Sequence, residues 1–294
     1  MTELHFGYNT NGFAHHRLED ALTILGKLGY HHVALTLDYH VLNPFDPDWV
    51  GPRGRWRAIR DMLESLRLRA IIETGARFLL DPWRKHHPTL LCSPRLRQRR
   101  LDFLRRSCDL ARRLGCDLVS FWSGSAPQGL SRKTLQRRLV SGCRELSDYA
   151  ADRGIRLGFE PEPGMFIDTM ESFAELYHAV RHPAFGLTLD IGHVHCQGDG
   201  PIDEVIGRWR DVLWNVHIED MKSGVHEHLM FGEGEIEFGP VMAALVEVNY
   251  SGGVCVELSR HSHDAVNTAR KALAFLRSHL VAAGKSGKPT AVRR

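Results

Sequence analysis

The chain has 294 residues, 43% of them hydrophobic, and a formal net charge of +3 with histidine neutral. That length fits one large domain or two small ones, and the composition is that of a chain able to bury a sizeable core. So weak a charge makes no demand for a nucleic-acid or membrane partner, and no run of about 18 apolar residues offers a membrane span. The opening MTELHFGYNTNG lacks the basic-then-apolar order of an export signal, so a cytoplasmic location is expected. The six cysteines are scattered without a CxxC pair and read as reduced thiols, most of them core fillers.

Strand-like and helix-like patterns alternate along the chain. Strands are expected at 3–8, 32–37, 69–73, 117–122, 156–160, 185–190, 213–218 and 253–258. Most are near-continuous apolar runs, the pattern of strands covered on both faces in a parallel sheet. The helical segment 94–114 follows Ser93 and carries Leu101, Leu104, Cys108, Ala111 and Leu114 on one stripe. Segment 132–152 places Leu135, Leu139, Cys143, Leu146 and Tyr149 likewise, and 263–280 places Val266, Ala269, Leu273, Leu276 and Leu280. Gly26, Gly115 and Gly154 fall at or near helix ends. Eight such alternations predict a single α/β domain, a (β/α)8 TIM barrel over 1–283, ahead of an open doubly wound sheet. The longest loop, 75–93, follows the third strand and is expected to form a pocket wall or lid. The tail, 284–294, has almost no apolar content and is expected to be disordered.

The last four strands each end on a polar residue: Glu160 in RLGFEPEP, Asp190 in FGLTLDIGH, His217 in LWNVHIED and Glu257 in GVCVELSR. In a barrel these ends share one mouth, so three carboxylates and an imidazole converge. Such a set suits one divalent ion (Mn²⁺, Mg²⁺, Co²⁺ or Zn²⁺) without choosing among them.

The segments GFEPEPG, LDIGHVH, NVHIEDM, HLMFGEGEIEF and CVELS, in that order, resemble the xylose isomerase-like barrels. That superfamily includes tagatose/psicose 3-epimerase-type enzymes, sugar isomerases, inosose dehydratases and, more distantly, endonuclease IV. The resemblance implies that Glu160, Asp190, His217 and Glu257 are metal ligands and that Glu160 and Glu257 are also the catalytic acid/base pair. It implies a substrate contact for His193, which in endonuclease IV is a metal ligand. His228 falls where epimerases have a substrate-binding Arg and endonuclease IV a metal-binding His; His226 falls where endonuclease IV has an Asp ligand. A second ion held by His193, His226 and His228 therefore stays open. The fourth strand closes with Phe121-Trp122 and the third with Glu73-Thr74, so a three-metal site looks incomplete.

Among other mouth residues, Trp122 is a candidate for stacking on a sugar face, Glu162 for accepting a sugar hydroxyl, and His40 for reaching the pocket. Asn9 and Asn11 lie in NTNG, a turn sequence. The arginines between Arg95 and Arg113 read as the solvated face of an amphipathic helix rather than a nucleic-acid surface. The expected function is a metal-dependent isomerase or epimerase acting on a sugar, sugar phosphate or polyol by proton transfer through an enediolate. A phosphodiesterase-type hydrolase and an inosose-type dehydratase are the alternatives, and a homo-oligomer is left open.

Overall fold

Eight parallel strands close into a barrel in the computed structural model, which describes residues 4–286. They are β1 (His5–Asn9), β2 (His32–Thr36), β3 (Arg69–Glu73), β4 (Leu118–Phe121), β5 (Arg156–Phe159), β6 (Phe185–Asp190), β7 (Leu213–Ile218) and, after the hairpin β8 (Asp220–Lys222) and β9 (Val225–Leu229), β10 (Gly253–Val256). Around the barrel the order is β1-β10-β7-β6-β5-β4-β3-β2, every pairing parallel. Each expected strand is present within two residues of its predicted bounds. The hairpin was not foreseen.

The helices are α1 (Leu18–Leu28), α2 (Pro47–Val50), α3 (Trp56–Leu66), α4 (Pro94–Leu114), α5 (Arg132–Ala151), α6 (Met170–Val180), α7 (Ile191–Gln197), α8 (Ile202–Trp209), α9 (Phe238–Glu247) and α10 (Ala265–Ser286). The stripe of α4 is buried as its spacing requires, and Gly115 closes that helix at φ 76°. Gly26 is not a cap: Gly29, at φ 93°, terminates α1. Helix α10 continues to Ser286, so 284–286 prolong a helix; the rest of the expected tail, 287–294, lies outside the described residues. No helix among the described residues is long and apolar enough to cross a membrane.

Strand alternation sets what the barrel interior contains. Side chains two apart share a face, so each strand sends every second residue inward. Ala34, Ile71, Leu118 and Cys255 form a small apolar cluster of their own, apart from the main core between barrel and helices. Above it Thr188 donates to Ser120 at 3.1 Å. One step further toward the C-terminal ends, the same inward parity yields Glu73, Trp122, Glu160, Asp190, His217 and Glu257. The opposite parity feeds the outer core: Phe159 packs on Phe121, Phe173 and Phe185, with ring centroids 5.2, 6.1 and 5.7 Å away.

Candidate metal centre and pocket

At the C-terminal mouth, the ligand atoms of Glu160, Asp190, His217 and Glu257 all lie within 4.8 Å of one another. His217 sits at the centre. Its Nδ1 is 3.0 Å from Glu160 Oε1, 3.0 Å from Glu257 Oε2 and 4.0 Å from Asp190 Oδ2. Its Nε2 is 2.9 Å from Glu73 Oε1, which also accepts from Asn215 at 3.1 Å. With Nε2–H donating to Glu73, Nδ1 is the ring nitrogen that faces the carboxylate oxygens, a position for a proton or for a metal cation. Asp190 Oδ2 is buried with no hydrogen-bond partner, while its Oδ1 accepts from the His193 amide at 2.9 Å. An orphaned buried carboxylate oxygen beside two further carboxylates fits a bound divalent ion.

The electrostatics without an ion show the same need. Burial works against a charged His217 ring, but Glu73, Glu160 and Glu257 outweigh it and hold the imidazole well above its usual value. Burial, with the charges of Glu257 and Asp190, pushes Glu160 up to about 7 against the pull of His217. Burial acts on Glu257 too, yet His217, His228 and the Asn11 amide, donating at 2.8 Å to Oε1, hold it below the ordinary carboxylate range. Without an ion, the environment thus shifts these two neighbouring carboxyl groups in opposite directions.

A cavity of about 250 Å³ opens over this centre. Its wall includes Trp122, Glu162, His193, His226 and His228 together with Glu160, His217 and Glu257. Burial, then Glu160 and Glu257, raises Glu162 to about 8. His40 does not line this cavity; with His16 it lines a neighbouring one of about 220 Å³, and Asn11, Thr36 and Arg77 border both. Loop 75–93 supplies Gly75, Arg77, Lys85 and His86 to the wall.

His193, His226 and His228 form a second cluster whose ligand atoms also lie within 4.8 Å of one another. The Pro161 carbonyl is 3.1 Å from His193 Nδ1, so that nitrogen carries the proton and Nε2, 3.0 Å from His226 Nε2, presents a lone pair. The β8–β9 hairpin delivers both His226 and His228.

Several residues of the site escaped the sequence reading. Glu73 carried the same strand-end signal as the four ligand candidates, but no role followed from it. Asn11 does make the expected turn, its amide bonding Asn9 Oδ1 at 3.1 Å, and its side chain also reaches Glu257. Glu219 is fully buried, its Oε2 3.8 Å from His228 Nδ1. Gly192 makes room for it: a Cβ there would lie 2.1 Å from Glu219 Oε1.

The sequence profile described as xylose isomerase-like TIM barrel matches residues 85–279, more than half of the chain, which therefore belongs to that family. Among curated relatives, 3-dehydroshikimate dehydratase of Pseudomonas putida is 28% identical over 80% of this chain, which spans only 36% of that protein's length. L-ribulose 3-epimerase of Methylomonas sp. is 26% identical over 81% of this chain and 77% of its own. Of solved structures, the IOLI protein with a bound zinc atom superposes with a TM-score of 0.75 at 19% identity, covering 94% of this chain and 98% of that one. That likeness shows the shared fold.

Proposed function

We propose that this chain is a divalent-metal-dependent isomerase or epimerase of a sugar or sugar-like polyol. The observation that carries the reading is the convergence of Glu160, Asp190, His217 and Glu257, with an unpartnered Asp190 oxygen, beneath a cavity of small-molecule size. These four would hold the ion, whose contribution is positive charge beside the substrate oxygens on which negative charge develops. Glu160 and Glu257 come from β5 and β10, separated around the barrel by β6 and β7, and so approach a substrate from different sides. One carboxylate removes the proton next to a carbonyl and the other returns one to the opposite face, which inverts that carbon. Return to the neighbouring carbon gives aldose–ketose isomerisation. Loss of an adjacent hydroxyl from the same enediolate gives dehydration, the reaction in the name of the Pseudomonas relative. Asn11 orients Glu257, and Trp122 and Glu162 offer an apolar face and a hydroxyl acceptor. The L-ribulose 3-epimerase relative supports the sugar class.

The test is incubation of metal-loaded protein with ketopentoses, ketohexoses and their terminal phosphate esters in deuterium oxide. Solvent deuterium should enter one carbon next to the carbonyl, and Glu160→Gln and Glu257→Gln should each abolish inversion at that carbon. Absence of exchange across the panel from a protein that holds its ion refutes the reading.

A second reading rests on the three-imidazole cluster. A second ion at His193, His226 and His228 would favour a hydrolase of the phosphodiesterase type. Two ions per chain would support it; one ion supports the isomerase.

A further inference from the structure

The pocket is electrically divided. Carboxylates dominate the side built by β5, β6, β7 and β10, and the one carboxylate at the end of β3, Glu73, is engaged with His217. Opposite, loop 75–93 contributes Arg77 and Lys85 to the cavity wall, and neither makes an ion pair within 4 Å among the described residues. A third cation lies behind that wall. Arg100 is only 3% exposed, and its guanidinium stacks on Trp122 at 5.2 Å and on Phe103 at 5.1 Å. Its Nη1 is buried without a hydrogen-bond partner. His86, edge-on to Trp122 at 5.1 Å, stands among all three. Burial, followed by Lys85, Arg100 and Arg77, pushes it down to about 4.

Lys85 is exposed and Arg77 half-buried, so solvent reaches both, but the buried, unpaired guanidinium of Arg100 beside them is costly, and an anion held by Arg77 and Lys85 would offset the repulsion among the three. Among the described residues no carboxylate lies within 4 Å of the charged groups of Arg77, Lys85 or Arg100. Other arginines near the mouth are engaged: Arg84 pairs with Asp81 at 2.8 Å, and Arg260 pairs with Glu227. We infer that the substrate carries an oxyanion group at the end remote from the carboxylate centre, and that Arg77 and Lys85 bind it over the Trp122–His86 wall, with Arg100 supplying buried positive charge behind. Such groups favour phosphate or carboxylate through charge-assisted hydrogen bonds. Arg77 also borders the second cavity, so the bound group lies where the two cavities meet.

This inference rests on the proposed function, because it assumes that a sugar-like molecule enters the cavity. The experiment is calorimetric binding of L-ribulose 5-phosphate and L-ribulose to Mn²⁺-loaded protein, with Mn²⁺ affinity measured separately. The phosphate ester should bind at least about 30-fold more tightly than the free sugar, and R77Q/K85Q should cut that preference to within about threefold. Mn²⁺ affinity of the double variant should be unchanged, which also shows that it folds. A third ligand, 3-dehydroshikimate, distinguishes the oxyanion: tight binding lost in R77Q/K85Q supports the clamp and makes the group a carboxylate. Equal affinities for all three ligands in the wild type, or a preference that survives in R77Q/K85Q, overturn the inference. So does a duplex oligonucleotide that outcompetes all three through Arg77 and Lys85. Failure to bind Mn²⁺ would instead count against the proposed function.

Discussion

Glu73 accepts from one edge of the His217 ring, at 2.9 Å, while the other edge faces Glu160 and Glu257 at 3.0 Å each. The two residues come from β3 and β7, across the barrel, and the contact fixes which imidazole nitrogen is free for an ion. A carboxylate behind a metal-binding histidine is commonly worth about 10- to 100-fold in metal affinity. Glu73→Ala should lower Mn²⁺ affinity by about that factor, whereas Glu73→Gln, which still offers an acceptor, should lose less. Titration calorimetry on the two variants provides the check, with circular dichroism confirming that both fold.

Gly192→Ala addresses the support of Asp190. The new methyl would fall 2.1 Å from Glu219 Oε1 and 2.8 Å from Met221 Cε, so the residues just after β7 must shift. A destabilisation of about 1–3 kcal/mol is expected from such overpacking. Weaker metal binding should accompany it, since Asp190 lies two residues away. Urea unfolding and Mn²⁺ titration on one preparation would read both effects.

Phe159 is fully buried among Phe121, Phe173 and Phe185, on the face of β5 opposite to Glu160. Phe159→Ala should cost about 3–5 kcal/mol of stability through lost burial and a residual cavity. Metal affinity of the folded fraction should change little by comparison, as the side chain points away from the mouth.

His32 predicts an acid sensitivity unrelated to the site. Burial, then the nearby charges of Arg69, His5 and His31, lowers it from 6.5 to about 3. A folded value below the unfolded one means that the unfolded chain binds the extra proton between these limits. The contribution to stability is therefore complete above about pH 6.5 and is lost as pH falls toward about 3, at about 1.4 kcal/mol per unit. Between about pH 7 and pH 5 the His32 contribution should be about 2 kcal/mol, so the stability change of His32→Gln across that interval should differ from the wild type's by about that amount. Chemical denaturation of wild type and His32→Gln at the two pH values isolates this difference.

Much of the mouth was legible because barrel geometry turns a sequence rule into a spatial one. An apolar run closed by a polar residue puts that residue at the strand end, and shared inward parity brings Glu160, Asp190, His217 and Glu257 together. The rest depends on partners distant in sequence. Glu73 closes its strand as the four ligand candidates do, but its role lies in a residue 144 positions away, and that of Asn11 in one 246 positions away, which no local pattern announces. The hairpin was missed because β9, Val225–Leu229, has no buried residue, is mostly polar and lacks the apolar run that marked the barrel strands. Arg77 and Lys85 sit in a loop whose path only the fold defines.

The most direct test is titration of Mn²⁺ into chelator-treated protein, wild type beside Asp190→Ala and His217→Ala. The account predicts one strongly bound ion per chain in the wild type and none of comparable affinity in either variant. Wild-type protein that takes up no ion, or variants that bind it as tightly, would contradict it.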